Sequence, residues 1–168
     1  MNEGLLLARL VFGLLMAAHG SQKLFGWFGG HGLTAVGNMF ESLGFRPGRL
    51  FAAAAAVGEF ASGLLIAFGL LGPVGPALML SVMIVAAISV HWQHGLFAMS
   101  NGIEVPLLYA AAAVTLALTG PGRYSVDALL GLTSLWTPEV AWSALVIAIV
   151  GGVGNLAIRR APAAAVAR

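Results

Sequence analysis

Six side chains carry most of the chemistry that this chain offers. His19 and Lys23 stand one helical turn apart with Gln22 between them, Glu59 lies inside an Ala- and Gly-rich run, and Glu104 and Tyr109 follow further on. Each can donate, accept or pass a proton, and imidazole does so near neutral pH. All lie in or beside long apolar stretches, where an unpaired charge is expensive. An acid in such a place is a functional hypothesis by default, so Glu59 and His19 read as proton-handling groups. The competing role for Glu59 is a structural ion pair or hydrogen bond that fixes helix packing.

His91 and His94 are spaced i, i+3 and, on spacing alone, could ligate a metal or an axial haem position. That spacing is unspecific, and an interfacial anchor beside Trp92 accounts for both equally well. We assign no metal site and expect no haem. The chain has no Cys, which removes disulfides, thiolate metal sites, iron–sulfur clusters and dithiol redox chemistry together. No Walker loop, dinucleotide fingerprint, HExxH or nucleophile elbow is present. Gly29-Gly30-His31-Gly32 lacks the strand–turn–helix context of a phosphate loop.

The elements that hold these groups must suit lipid. The 168 residues are 60% apolar and 8% charged, whereas a soluble domain is about a quarter charged. So few charges cannot cover a surface facing water. The 23 glycines and the Ala runs suit close packing of membrane helices, between which lipid supplies no hydrophobic drive. A net charge of +2 gives no case for nucleic acid. The lipid bilayer is the expected surrounding, and the basic residues read as topology signals.

A crossing helix needs about 20 mostly apolar residues. Five runs qualify or nearly so: 4–25, 49–71, 74–96, the shorter 104–119, and 140–158. Glu3 and the lack of an early Lys or Arg are wrong for a secretory leader, so the first run reads as a retained helix. Residues 33–45 and 124–136 are too polar to span and read as interfacial segments, with Trp27, Phe28, Tyr124 and Trp136 as aromatic anchors. The expected fold is an all-α membrane protein. Residues 1–137 form a four-helix transmembrane bundle, 138–160 add a fifth C-terminal transmembrane helix, and 161–168 are a short tail.

Orientation follows from Lys and Arg. Lys23, Arg46 and Arg49 fall between the first two spans, Arg159, Arg160 and Arg168 after the last, and Arg123 on the opposite side. Five spans gather the first six on one side, which places the N-terminus outside and the C-terminus in the cytoplasm. Counting rise along each helix from the outer ends, Arg9 sits at about 8 Å, Tyr109 at about 16 Å and Glu59 at about 18 Å. His19, Glu104, His91 and Lys23 follow between about 22 and 28 Å. Glu59 shares a face with Ala52, Ala56, Ser62 and Gly63, which should turn toward other helices rather than lipid. His19 is its best depth match and Tyr109 the next.

Arg9, Arg123, Tyr124 and Asp127 read as structural. Gly120-Pro121-Gly122 ends the fourth span, Ser125 is an N-cap by type and place, and Arg123 and Asp127 are close enough in sequence to pair.

At these positions the chain resembles the DoxX family of small prokaryotic membrane proteins. The matching stretches are His19-Gly-Ser-Gln-Lys-Leu-Phe-Gly-Trp-Phe-Gly-Gly30, Gly58-Glu59 with Gly63-Leu-Leu, Asn101-Gly-Ile-Glu104, Leu107-Leu-Tyr109 and Gly120-Pro-Gly-Arg-Tyr-Ser-Val-Asp127. They cover about residues 4–132, and their order is more specific than any one piece. The resemblance implies a four-helix bundle in the prokaryotic cell (inner) membrane. Relatives include a membrane subunit of a thiosulfate:quinone oxidoreductase, and many members are labelled oxidoreductases. This chain departs from the usual pattern by its extra span.

A redox-associated membrane subunit binding a quinone or similar amphipathic carrier is the expected function. His19, Gln22, Lys23 and Tyr109 would supply donors, and Glu59 and Glu104 proton acceptors. The chain has no electron donor of its own, so it is not an enzyme alone, and a soluble or membrane redox partner must supply electrons. Assembly with a second copy of the chain is compatible with this reading. A non-catalytic scaffold and a small-solute or proton-coupled permease are the rivals, and the absence of internal repeats weighs against the permease.

Overall fold

The computed structural model describes residues 2–160, among which every regular element is helical. The tail expected at 161–168, with Arg168, lies outside the described residues. The elements are α1 (Asn2–Phe25), α2 (Gly32–Ser42), α3 (Gly48–Phe68), α4 (Val74–Ala86), α5 (Glu104–Thr119), α6 (Val126–Leu129) and α7 (Pro138–Ala157). Beyond Ala86, α4 runs on through a π turn (Ala87–His91) and a 3-10 turn (Trp92–His94), so Val74–His94 makes one continuous span. That segment, α1, α3 and α7 are each long and apolar enough to cross a membrane, and α5 is a shorter apolar helix. At 1.5 Å per residue, α5 is about 24 Å long. The chain is an all-α, multi-pass membrane protein.

Helix α1 packs along α3, α3 against α4, α4 against α5, and α5 returns to α1, so four helices close a ring. Helix α7 is docked outside that ring on α4 and α5 and buries Ala141, Leu145, Ala148 and Gly152. The α1–α3 contact is built from small residues: Gly13, Ala17 and Gly20 meet Ala56, Gly63 and Ala67. A Cβ on Gly20 would lie 2.5 Å from the Phe60 amide nitrogen, so the two backbones approach as only glycine permits. The face of α3 that carries Ala52, Ala56, Glu59, Ser62 and Gly63 is buried throughout, as its small-residue spacing predicts.

Met16, Ile66, Met79, Leu80, Met83 and Leu116 fill the centre of the ring. Leu7, Leu14, Leu108, Ile147 and Val150 cover the outside. An apolar exterior around a core of small and flexible residues is what a lipid solvent calls for. The segment expected at 33–45 is α2, which folds back along α3. It buries Val36 and Phe40 with Phe45 and Ala52 in a second cluster. The segment expected at 124–136 is two short turns rather than one helix: α6 and a 3-10 turn (Leu132–Leu135), separated by Gly131 at φ +69°.

The Arg160 amide donates to the Gly44 carbonyl at 2.9 Å. This clasp puts the end of α7 beside the α2–α3 turn. Lys23, Arg46, Arg49, Arg159 and Arg160 thus gather at one end of the bundle, and Arg123 lies at the other, with its amide on the Asn2 side chain. Five helices running alternately between the same two ends produce that segregation.

Candidate functional site

Glu59 sits midway along α3 at 2% exposure, facing α1. Its Oε1 is ion-paired with the Lys23 ammonium, and its buried Oε2 has no hydrogen-bond partner. Sequence reading made His19 the best match for Glu59, and the structure corrects this to Lys23. The physical reason is side-chain direction. Helical side chains lean toward the helix N-terminus, so a four-carbon stem carries the Lys23 ammonium up to the depth of Glu59. Depth counted at Cα misses that reach. The lysine is turned inward to a carboxylate rather than outward to lipid phosphate, and its side chain is 27% exposed.

His19, one turn before Lys23, packs edge-on against Tyr109 of α5, with ring centroids 6.0 Å apart. Tyr109 is buried and near enough to Glu59 for the two to interact electrostatically. His19, Tyr109, Glu59 and Lys23 therefore lie in one region of the bundle, with a direct polar contact between Lys23 and Glu59. Gln22 and Glu104 are occupied elsewhere. The Gln22 amide donates to the Phe28 carbonyl at 3.0 Å and ties down the loop after α1. Glu104 begins α5, and its Oε2 accepts from the Ala98 amide at 2.7 Å.

Lys23 also borders a cavity of about 350 Å³ between α2, α3, α4 and α7. Phe40, Phe45, Phe51, Val82 and Val85 give it apolar walls, and Met39, Ala54 and Leu78 on its rim are exposed on the outer surface. Its polar lining is sparse: Lys23, Ser81, Ser89, His91 and Asn155. Ser89 is 8% exposed and its hydroxyl has no partner. The His91 Nδ1 is held by the Asn101 carbonyl at 2.7 Å, and His94 Nδ1 by the Val90 carbonyl at 2.9 Å. A partly open apolar cleft with a few convergent polar groups is the usual form of a small-molecule site.

The other end of the bundle carries the second buried charge. Arg9 donates from both terminal nitrogens, to the Pro121 and Tyr124 carbonyls. Asp127 is fully buried and accepts from the Leu71 amide at 3.0 Å and the Gly72 amide at 2.7 Å. Asp127 and Arg9 interact electrostatically. The pairing of Arg123 with Asp127 that their spacing allows does not form: Arg123 is exposed, and Asp127 is turned inward to the α3–α4 turn. Ser125 caps α6 as its type predicts, accepting from the Ala128 amide at 3.1 Å. Tyr124 reaches the Glu3 carboxylate through its hydroxyl at 3.3 Å. Gly69 ends α3 at φ +62° directly against the Arg9 guanidinium.

The DoxX family profile matches residues 4–92. The chain belongs to the DoxX family. No match was found among curated proteins or among solved structures. The DoxX stretch holds Arg9, His19, Gln22, Lys23, Glu59, Ser89 and His91, and it stops two residues before the α4 segment ends. Glu104, Tyr109, Arg123, Tyr124 and Asp127 lie beyond it, as does all of α7. This DoxX protein thus walls its cavity partly with a helix outside the family match, through Asn155.

Ser81, Ser89 and Asn155 went unweighed in the sequence. Ser81, Val85 and Ser89 share one face at i, i+4 spacing, which is a usable signal. Asn155, in the last turn of α7, gives none until α7 is docked.

Proposed function

We propose that this DoxX-family chain is a redox-associated membrane subunit that binds a quinone or a similar amphipathic carrier. The observation that carries this reading is the cavity of about 350 Å³, apolar on most of its wall and bordered by the Lys23 of a buried ion pair. Ligand pockets run from about 300 to 1,000 Å³, so this one suits a single ring, with an alkyl tail leaving past Met39 and Leu78 to lipid. Lys23, Ser81, Ser89 and Asn155 can donate to ring oxygens. Reducing a quinone takes up two electrons and two protons. Lys23, ion-paired with Glu59 and bordering the cavity, is placed to deliver protons to the ring, with His19 and Tyr109 behind the pair, and a soluble or membrane partner supplies the electrons.

The positively charged end, with Lys23, Arg46, Arg49, Arg159 and Arg160, faces the cytoplasm in this reading, and the membrane is the prokaryotic inner membrane. The absence of Cys makes single-cysteine labelling a clean test: a cysteine at Ser42 should be shielded from an impermeant reagent in intact cells, and one at Ser134 should react.

The functional test is saturable binding of a short-chain benzoquinone to detergent-purified protein, wild type beside Lys23→Met, Glu59→Gln and His19→Ala, with folding checked in each. Binding by wild type that falls about tenfold or more in folded Lys23→Met supports the reading. No saturable binding by wild type would turn the assignment to a scaffold that stabilises other membrane proteins.

A further inference from the structure

Resting on the ring-binding reading above, we infer that Ser89 holds a ring oxygen in this cavity and that His91 makes it select the dihydroxy form of the ring, the hydroquinone, over the dione. Neither residue belongs to the ion pair or to the His19–Tyr109 contact. Both lie on the π turn Ala87–His91 and both line the cavity. A π turn widens a helix by one residue and often marks a functional site.

Ser89 departs from the habit of several other helical hydroxyls. Ser21, Thr115 and Thr119 each donate to the carbonyl four residues earlier, at 2.8 to 2.9 Å. That is the usual way to satisfy a hydroxyl in an apolar helix. Ser89 is buried like Ser21 and more so than the two threonines, yet its hydroxyl is unpartnered and it lines the cavity. A buried polar group without a partner is costly, and a ligand oxygen is the partner the cavity leaves room for.

His91 fixes the polarity of the site. The Asn101 carbonyl can only accept, so the Nδ1 that meets it at 2.7 Å carries the proton. In the neutral ring Nε2 is then an acceptor. Lys23 is the other titratable group on the cavity wall, and it only donates. Lys23, Asn155 and Ser89 can serve a ring oxygen in either oxidation state. On the cavity wall, Nε2 of His91 can bond a ligand that brings a hydrogen, as a hydroquinone does and a dione does not. A site built around a hydrogen bond rejects the analogue that cannot make it.

The experiment measures binding of three probes to the full chain in detergent at pH 8 under anaerobic conditions. The probes are a short-chain alkyl benzoquinone, its hydroquinone, and the hydroquinone dimethyl ether. Wild type should bind the hydroquinone about tenfold tighter than either of the others. His91→Phe should bring the three within about twofold of one another, and His91→Gln, which keeps an acceptor, should restore most of the preference. Ser89→Ala should weaken the hydroquinone about fivefold, while the ligand-free variant melts at or above the wild-type temperature, because it loses an unsatisfied hydroxyl. Equal affinity for all three probes in wild type, or a preference that survives in His91→Phe, overturns the selectivity while leaving ring binding intact. A lowered melting temperature in Ser89→Ala with unchanged affinity makes Ser89 structural and overturns its part. Binding of none of the three by wild type removes the ring-binding reading itself, and this inference with it.

Discussion

The bundle holds a buried charge near each end, and the two are treated differently. At one end Arg9 and Asp127 are held mainly by backbone, and of the arginine's nitrogens the buried Nε alone is left without a hydrogen-bond partner. The arginine takes two loop carbonyls and the aspartate two amides of the α3–α4 turn, so the pair stitches three segments of chain together. At the other end Lys23 and Glu59 hold little but each other. Glu59 keeps one oxygen unpartnered, and a cavity opens beside Lys23. A charge whose hydrogen bonds go mainly to backbone of remote segments fixes a fold. A charge pair left part-satisfied beside a cavity has capacity for something else, and that difference, the cavity above all, is why we propose function at the Lys23 end and structure at the Arg9 end.

The sharpest way to break the comparison is Asp127→Ala. It leaves the Arg9 guanidinium buried without its counter-charge and orphans two amides, and it should cost about 3–5 kcal/mol of stability. Thermal unfolding in detergent checks this, and a melting curve close to wild type would remove the distinction between the ends. Next in size is Lys23→Met, which strands the Glu59 carboxylate and should cost about 1–3 kcal/mol. Adding Glu59→Gln should recover most of that loss, because a neutral pair no longer demands a partner. The equivalent double change at Arg9 and Asp127 should not recover, since their backbone partners remain orphaned.

Ser125→Ala removes the side-chain cap of α6 and should cost about 1 kcal/mol. Ring binding in that variant should equal wild type, which sharpens the assignment of that end as structural. The smallest effect expected is His19→Ala, about 0.5–1.5 kcal/mol from the lost edge contact with Tyr109. If His19 passes protons, the same change should slow ring reduction by a supplied electron donor more than it weakens ring binding. Equal effects on both would leave His19 a packing residue.

Much of this was legible before any helix was placed. The apolar runs and the Pro and Gly punctuation located all five long helices to within a few residues, because hydrocarbon admits only self-satisfied backbone and so forces helices. The small-residue face of α3 correctly turned Glu59 inward, since burial follows helical periodicity. The N-cap at Ser125 was legible because capping depends on three neighbouring residues. What failed was pairing. Glu59 was matched to His19 by depth, and Asp127 to Arg123 by proximity in sequence. Both rules ignore where a side chain points and what else competes for it. Lys23 reaches past His19, and the α3–α4 turn offers Asp127 two amides from 55 and 56 residues away.

Composition and periodicity by themselves determined the solvent, the element type, the number of long helices and the end of the bundle where positive charge collects. These are sums over many residues, or relations within one turn, and need no knowledge of neighbours. Only the tertiary structure decided which helix faces which, that α7 docks on α4 and α5, and that a cavity lies between α2, α3, α4 and α7. A cavity is the volume that packing fails to fill, and its polar lining comes from five residues on three helices of remote sequence. No single helix encodes it, because the empty space and the unpartnered Ser89 hydroxyl exist only after the helices have met.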